Sequence, residues 1–225
     1  MNKLKESELL RSFAGFFLLF LLFVGLLIFI VPSSHQSSKI SDKIRSVKKE
    51  KVTYVAIGDS LTQGVGDSSN QGGFVPVLSQ ALESDFNWQV TPRNYGIAGN
   101  TSNQILKRMQ EKKDIKRDLK KAKLMTLTVG GNDVIHVIMD NITNLNVNIF
   151  SKAAVDYQKR LRQIIELARK ENKTLPIYIT GIYNPFYLNF PEMTEMQTIV
   201  DNWNRSTEEV SKAVSYTHLT LPTIL

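Results

Sequence analysis

Val52-Thr53-Tyr54-Val55-Ala56-Ile57-Gly58-Asp59-Ser60-Leu61 is a β-branched and apolar run that stops on a glycine, an acid and a serine. A continuous apolar run of this length marks a strand buried on both faces of a sheet. A serine just past the C-terminal end of such a strand sits where open α/β sheets keep their chemistry. Its hydroxyl is therefore a candidate nucleophile. A serine nucleophile also needs a base and a group that orients the base.

Outward from this run, strand and helix patterns alternate. Residues 53–57 read as a strand and 73–84 as a helix, with Phe74, Val77, Leu78 and Leu82 at helical spacing. Strands follow at 88–94, 124–129 and 176–180, and helices at 103–113, 150–172 and 193–213. This alternation predicts an α/β fold: a parallel sheet covered by helices on both faces. The basic segment from Lys107 to Lys123 interleaves lysines with Glu111, Asp114 and Asp118 and reads as a solvated surface helix.

The 225 residues carry a formal net charge of +7 and no cysteine, which excludes structural disulfides, thiolate metal sites and a lipidated cysteine. The three histidines, His35, His136 and His218, share no metal-ligand spacing, so neither metal nor cofactor is expected. The stretch from Phe13 to Val31 contains no charged or strongly polar residue. As a helix it would span roughly 28 Å, close to the hydrocarbon thickness of a bilayer. It reads as an uncleaved transmembrane signal-anchor (13–32) behind a short N-terminal tail (1–12), rather than as a cleaved signal peptide. Residues 33–51 are polar and basic and read as a linker. Arg11 against the span favours a cytoplasmic N-terminus, while the lysines that follow weaken the choice. The expectation is a single-pass cell-membrane protein with its domain outside.

Three expected strand ends carry unusual sequence. Gly58-Asp59-Ser60-Leu61 follows the first, Asn94-Tyr95-Gly96-Ile97-Ala98-Gly99-Asn100 the second, and Gly130-Gly131-Asn132-Asp133 the third. Each alone is an ordinary turn or helix cap. In a parallel sheet, however, all three ends converge on one edge. Ser60 offers a hydroxyl and its own N–H, Gly99 a bare backbone N–H and Asn132 a side-chain amide. Together these are candidate donors for an oxyanion hole. Asp59 reads as a brace for the turn.

These three segments resemble the first blocks of the SGNH (GDSL-type) esterase and lipase family, from about Val52 to Ala213 (the domain 52–213). The resemblance implies a flavodoxin-like three-layer α/β/α fold and metal-free hydrolysis of carboxylic esters or thioesters. It implies Ser60 as nucleophile, with Ser60 N–H, Gly99 N–H and the Asn132 side chain as oxyanion donors. An anchor followed by this domain resembles the membrane-anchored lysophospholipase-like members of Gram-positive bacteria. The implied partners are an ester-containing lipid or other small acyl ester, and the membrane through the N-terminal helix; nucleic acid is not expected.

The family's base and orienting acid lie in a late Asp-x-x-His segment after a fifth strand. No such segment follows Thr180 here: His218 is preceded at three residues by Ser215. Residues 214–223 resemble the translation of a sequencing adapter. Native sequence is therefore expected to stop near Ala213, with 214–225 a non-native tail, the last strand missing and the chain inactive. The alternation from Tyr216 to Leu221 also allows a genuine short strand. Asp133-Val134-Ile135-His136 has the Asp-x-x-His spacing, but Asp133 reads as a helix cap and His136 as an ordinary helical residue. A competing function is a non-catalytic module that binds anionic cell-wall polymer or lipid through Lys39–Lys51 and Lys107–Lys123.

Overall fold

A computed structural model describes residues 48–141, 143, 146–184, 194–214 and 217–220. The chain divides into two units, Met1–Lys48 and Lys49–Leu225, and the described elements belong to the second. Strand β1 (Glu50–Gly58) is central, because its apolar run can be buried on both faces. It pairs in parallel with β2 (Trp88–Gly96) on one side and β3 (Ala122–Thr128) on the other. β4 (Ile177–Thr180) adds to β3, and β5 (Thr217–Thr220) to β4. The sheet order is β2-β1-β3-β4-β5. This is the flavodoxin-like order, which reverses direction between β2 and β3 around β1.

The period of two along the strands divides the core. Val55 and Ile57 of β1 and Met125 and Leu127 of β3 join one apolar cluster. It is shared with α3 (Ser102–Glu111), α4 (Lys113–Lys121), α5 (Gly131–Asp140), α6 (Val147–Glu171) and α7 (Thr194–Lys212). Tyr54 and Ala56 point the other way and pack with Val75 and Leu78 of α2 (Phe74–Asp85). A four-residue helix α1 (Ser60–Gln63) joins β1 to the loop before α2. Helices thus lie on both faces of a parallel sheet, as the strand–helix alternation predicts.

Three expectations are corrected. The sheet has five strands, not four with the last missing. Thr217-His218-Leu219-Thr220 alternates polar and apolar residues, so Leu219 packs against the large core cluster and its neighbours stay outside. Arg169 Nη2 donates to Thr217 Oγ1 at 3.2 Å, and Gly181 N–H donates to Thr220 O at 2.8 Å. The segment Lys107–Lys123 is not one helix. Lys112, with φ −83° and ψ 113°, is extended and separates α3 from α4, so that Ile115 and Leu119 turn inward. Asp133 is no cap either: Gly130 holds the N-cap position of α5. The Asp133 carboxylate instead accepts from Ser102 N at 2.8 Å, from Ser102 Oγ at 2.5 Å and from Arg160 Nη2 at 3.2 Å.

Among the described residues no helix is long and apolar enough to cross a membrane. The expected anchor at 13–32 and most of the linker lie outside the described residues.

Candidate active site

The turn after β1 is built from hydroxyl groups and one carboxylate. Thr128 Oγ1, at the end of β3, donates to Asp59 Oδ1 at 2.8 Å and accepts from Asp59 N at 3.1 Å. A hydroxyl has one proton, and that of Thr128 goes to the carboxylate, so Thr62 must be the donor in the 2.8 Å contact between the two threonine hydroxyls. Asp59 caps α1 by accepting from Leu61 N at 3.1 Å. Ser60 therefore opens a helix with its hydroxyl half-buried and its N–H outside the intrahelical ladder. Gly58 is required by space: a Cβ there would lie 2.1 Å from Thr128 Oγ1 and 2.6 Å from Thr62 Oγ1.

The loop after β2 is tied to the same turn. Ile97 N–H donates to Gly58 O at 3.1 Å, and Ala98 N–H donates to Gln63 Oε1 at 2.6 Å. Asn94 Nδ2 donates to Thr62 O at 2.7 Å. Arg108 of α3 spans the two strand ends, with Nη1 on Tyr95 O at 2.9 Å and Nη2 on Gly58 O at 3.1 Å. Its burial lowers the guanidinium pKa from its ordinary value. Gly99 adopts φ +77° and has open space where a Cβ would point.

Asn132 sits in the first turn of α5, after β3, and its Nδ2 donates to Asn100 O at 3.0 Å. An amide nitrogen carries two hydrogens, so one remains for another acceptor. Ser60 and Asn132 line one cavity of about 200 Å³. Its walls are mostly apolar and come from Val134, Ile135 and Ile138 of α5, Ile182 and Tyr183 after β4, and Met196 and Val200 of α7. Asn204 of α7 clamps the wall after β4, accepting from Ile182 N at 2.9 Å and donating to Ile182 O at 2.8 Å. The cavity opens at the C-terminal ends of β1 and β3, the switch point of the sheet. It can hold an apolar chain with its polar end at the Ser60 hydroxyl.

The sequence-predicted residues are thus placed as follows. Ser60 and Asn132 share the cavity; Gly99 is not among its lining residues, but its loop is bonded to the β1 turn and to Asn132. His136 is exposed on α5, and His218 stacks on Tyr178 at 5.2 Å between ring centroids; neither lines the cavity. Sequence reasoning missed Gln63, Arg108, Thr128 and Asn204. A threonine ending a buried strand and an asparagine inside a helix were the available signals.

The sequence profile of the GDSL-like lipase/acylhydrolase family matches residues 56–223. The uncharacterised protein YpmR of Bacillus subtilis is 33% identical over 189 residues, 83% of this chain and 73% of that protein. The spore germination lipase LipC of Bacillus licheniformis is 27% identical, covering 71% of this chain and 75% of that protein. Among solved structures, the lipase Lip_vut3 from a goat rumen metagenome is 25% identical with a TM-score of 0.65, covering 76% of this chain and 79% of that one. With its fold, its strand-end motifs and this match over most of its length, the chain belongs to the GDSL-like lipase/acylhydrolase family.

Proposed function

We propose that this chain is built for serine-dependent hydrolysis of carboxylic esters or thioesters, with Ser60 as nucleophile. The observation that carries the reading is the meeting of the Ser60 turn and Asn132 on one apolar cavity at the switch point of the sheet. Ser60 Oγ attacks the acyl carbon as its proton passes to water, the tetrahedral adduct collapses and expels the alcohol or thiol, and water then cleaves the acyl-serine to the acid and free Ser60. The Ser60 N–H, the Gly99 N–H and the uncommitted hydrogen of Asn132 Nδ2 receive the oxygen that becomes negative. One such donor is worth roughly 10²- to 10³-fold in rate. The apolar walls take the acyl chain, and lysophospholipid-like esters are the substrate class that suits them.

No histidine lines the cavity among the described residues. The 225 residues as they stand are therefore expected to turn over on the order of 10⁴- to 10⁶-fold below an enzyme with its base in place. A fluorophosphonate probe tests both parts. Prolonged labelling is expected to place the adduct on Ser60 and to vanish in Ser60→Ala. Added imidazole, a diffusible base, is expected to raise the labelling rate. An adduct that survives Ser60→Ala overturns the nucleophile assignment; fast labelling without imidazole overturns the missing base.

The stretch 13–32 is the proposed membrane anchor, with the domain on the outer side. Its test is alkaline-carbonate extraction of membranes followed by protease treatment of intact cells. Release by carbonate, or protection of the domain from protease, counts against it.

A further inference from the structure

The N-terminal and C-terminal edges of the sheet differ in charge. Glu50 of β1 stands opposite Trp88 of β2, and Thr53 opposite Ala122 of β3, so these strand starts share one edge. Around it stand Lys49 just before β1, Lys51 in β1, Lys120, Lys121 and Lys123 at the junction of α4 and β3, and Lys173 just past α6, all exposed. The end of α6 is fixed there, because Asn172 Nδ2 donates to Ala122 O at 3.0 Å. Two of the nearby acids are matched: Glu50 pairs with Lys123 at 3.1 Å and Glu171 with Lys120 at 3.5 Å. Glu83 and Asp85 lie at the end of α2, on the β2 flank. Lys49, Lys51, Lys121 and Lys173 have no carboxylate within ion-pair distance among the described residues.

The opposite edge is different. Among the described residues no lysine or arginine lines the Ser60 cavity, and the Arg108 guanidinium at this edge is bonded to the carbonyls of Tyr95 and Gly58. Asp67, in the loop after α1, accepts from Ser69 N, Gln71 N and Gly73 N, each at 2.9 Å, and presents negative charge. β1 is nine residues long, so the two edges are separated by roughly 26 Å, more than twice the Debye length at 0.1 M salt. An anionic surface that attracts one edge exerts little pull on the other. The chain that follows residues 13–32 enters this domain at Lys49, at the lysine edge.

We propose that the N-terminal edge of the sheet docks on an anionic lipid bilayer through Lys49, Lys51, Lys121 and Lys173, with the Ser60 cavity facing away from that bilayer. The proposal rests in part on the reading of 13–32 as an anchor. Its chemical consequence is that esters reach Ser60 from the aqueous side, as dissolved or micellar molecules, not from the leaflet on which the protein stands.

The test uses the full chain incorporated into vesicles of phosphatidylcholine alone or with about one-third phosphatidylglycerol. Exposed lysines are acetylated with a water-soluble reagent, and each site is read by mass spectrometry. Lys121 and Lys173 are expected to react at least about threefold more slowly on the anionic vesicles, and to recover in 0.5 M salt, since each near-surface lysine contributes on the order of fivefold in partitioning. Lys152, near the start of α6 and about 28 Å along that helix from Glu171, is the control and keeps its rate. Equal rates on both vesicles, or slowing of Lys152 instead, overturn the docking. The same protection by soluble polyphosphate without vesicles overturns the lipid assignment in favour of a polymer. Failure of the chain to float with phosphatidylcholine vesicles defeats the anchor reading alone; the edge lysines on anionic vesicles still decide the docking.

Discussion

Replacing Thr128 by valine keeps the shape of a fully buried side chain and removes the hydroxyl on which the Ser60 turn hangs. Three hydrogen bonds go with it. The Asp59 N–H loses its acceptor in a buried site, which costs about 1–3 kcal/mol. The Asp59 carboxylate, 5% exposed, loses an O–H donor and keeps the Leu61 N–H, a further loss of about 1.5–3 kcal/mol for a hydrogen bond to a charged group. The Thr62 hydroxyl has a fallback, since Ile57 O already lies 3.4 Å away. The expected loss is about 3–5 kcal/mol. Thr128→Ser keeps the hydroxyl and removes one methyl group, so it costs about 1 kcal/mol. Urea unfolding in mild detergent, followed by the fluorescence of Trp88 and Trp203, compares the three proteins. If valine costs less than about 1 kcal/mol, or serine as much as valine, the hydroxyl chain does not hold the turn.

Gly130→Ala places a Cβ at φ +108° and 2.8 Å from Trp203 Nε1, so it is expected to lose about 2–4 kcal/mol. A double-mutant cycle with Trp203→Phe should show coupling of about 1 kcal/mol or more, and additive losses would exclude the clash as the cause. Arg160→Met leaves the Asp133 carboxylate with Ser102 alone. Because Arg160 is partly exposed, the expected loss is about 2–3 kcal/mol, seen as a Tm lower by roughly 5–10 °C. Burial pushes the Tyr54 hydroxyl up to about 12 from 10.0, outweighing its hydrogen bond with Thr126. The folded state thus holds this proton at pH values where the unfolded chain releases it. The contribution is complete below pH 10 and is lost as pH rises to 12, about 2–3 kcal/mol in all, with Tyr95 and Tyr157 shifted in the same direction. Urea midpoints at pH 9, 10 and 11 check the fall, which is shallower in Tyr54→Phe.

The layered fold was legible because its strongest elements obey a single period. β1 and β3 hold β-branched and apolar stretches that are buried without a break from Tyr54 to Gly58 and from Leu124 to Thr128, and α2 and α6 repeat apolar residues every three to four positions. What was misread depends on few residues or on distant ones. β5 has four residues and one inward apolar side chain, a weak signal beside a doubtful flanking sequence. The break at Lys112 is made by a residue of ordinary helix propensity; what turns it is the burial of Ile115 and Leu119 against the sheet. Within the site, residue types at strand ends pointed to Ser60, Gly99 and Asn132. The bonds from Thr128, Gln63 and Asn204 join positions 20 to 70 residues apart in sequence, and no local pattern encodes them. Asp133 looked like a cap because caps are local, while its partners Ser102 and Arg160 come from two other helices.

Arg108 gives the site a mechanical property. One guanidinium grips the last carbonyl of β1 and a carbonyl at the end of β2, and Gln63 and Asn94 bolt the adjoining loops together a few ångströms away. The serine turn and the Gly99 loop therefore move as a single plate. A molecule that pushes the glycine loop aside displaces the serine with it, so the two cannot be re-tuned independently. Adaptation to a bulkier substrate is left to the opposite wall, where α5 and α7 can be recut one side chain at a time.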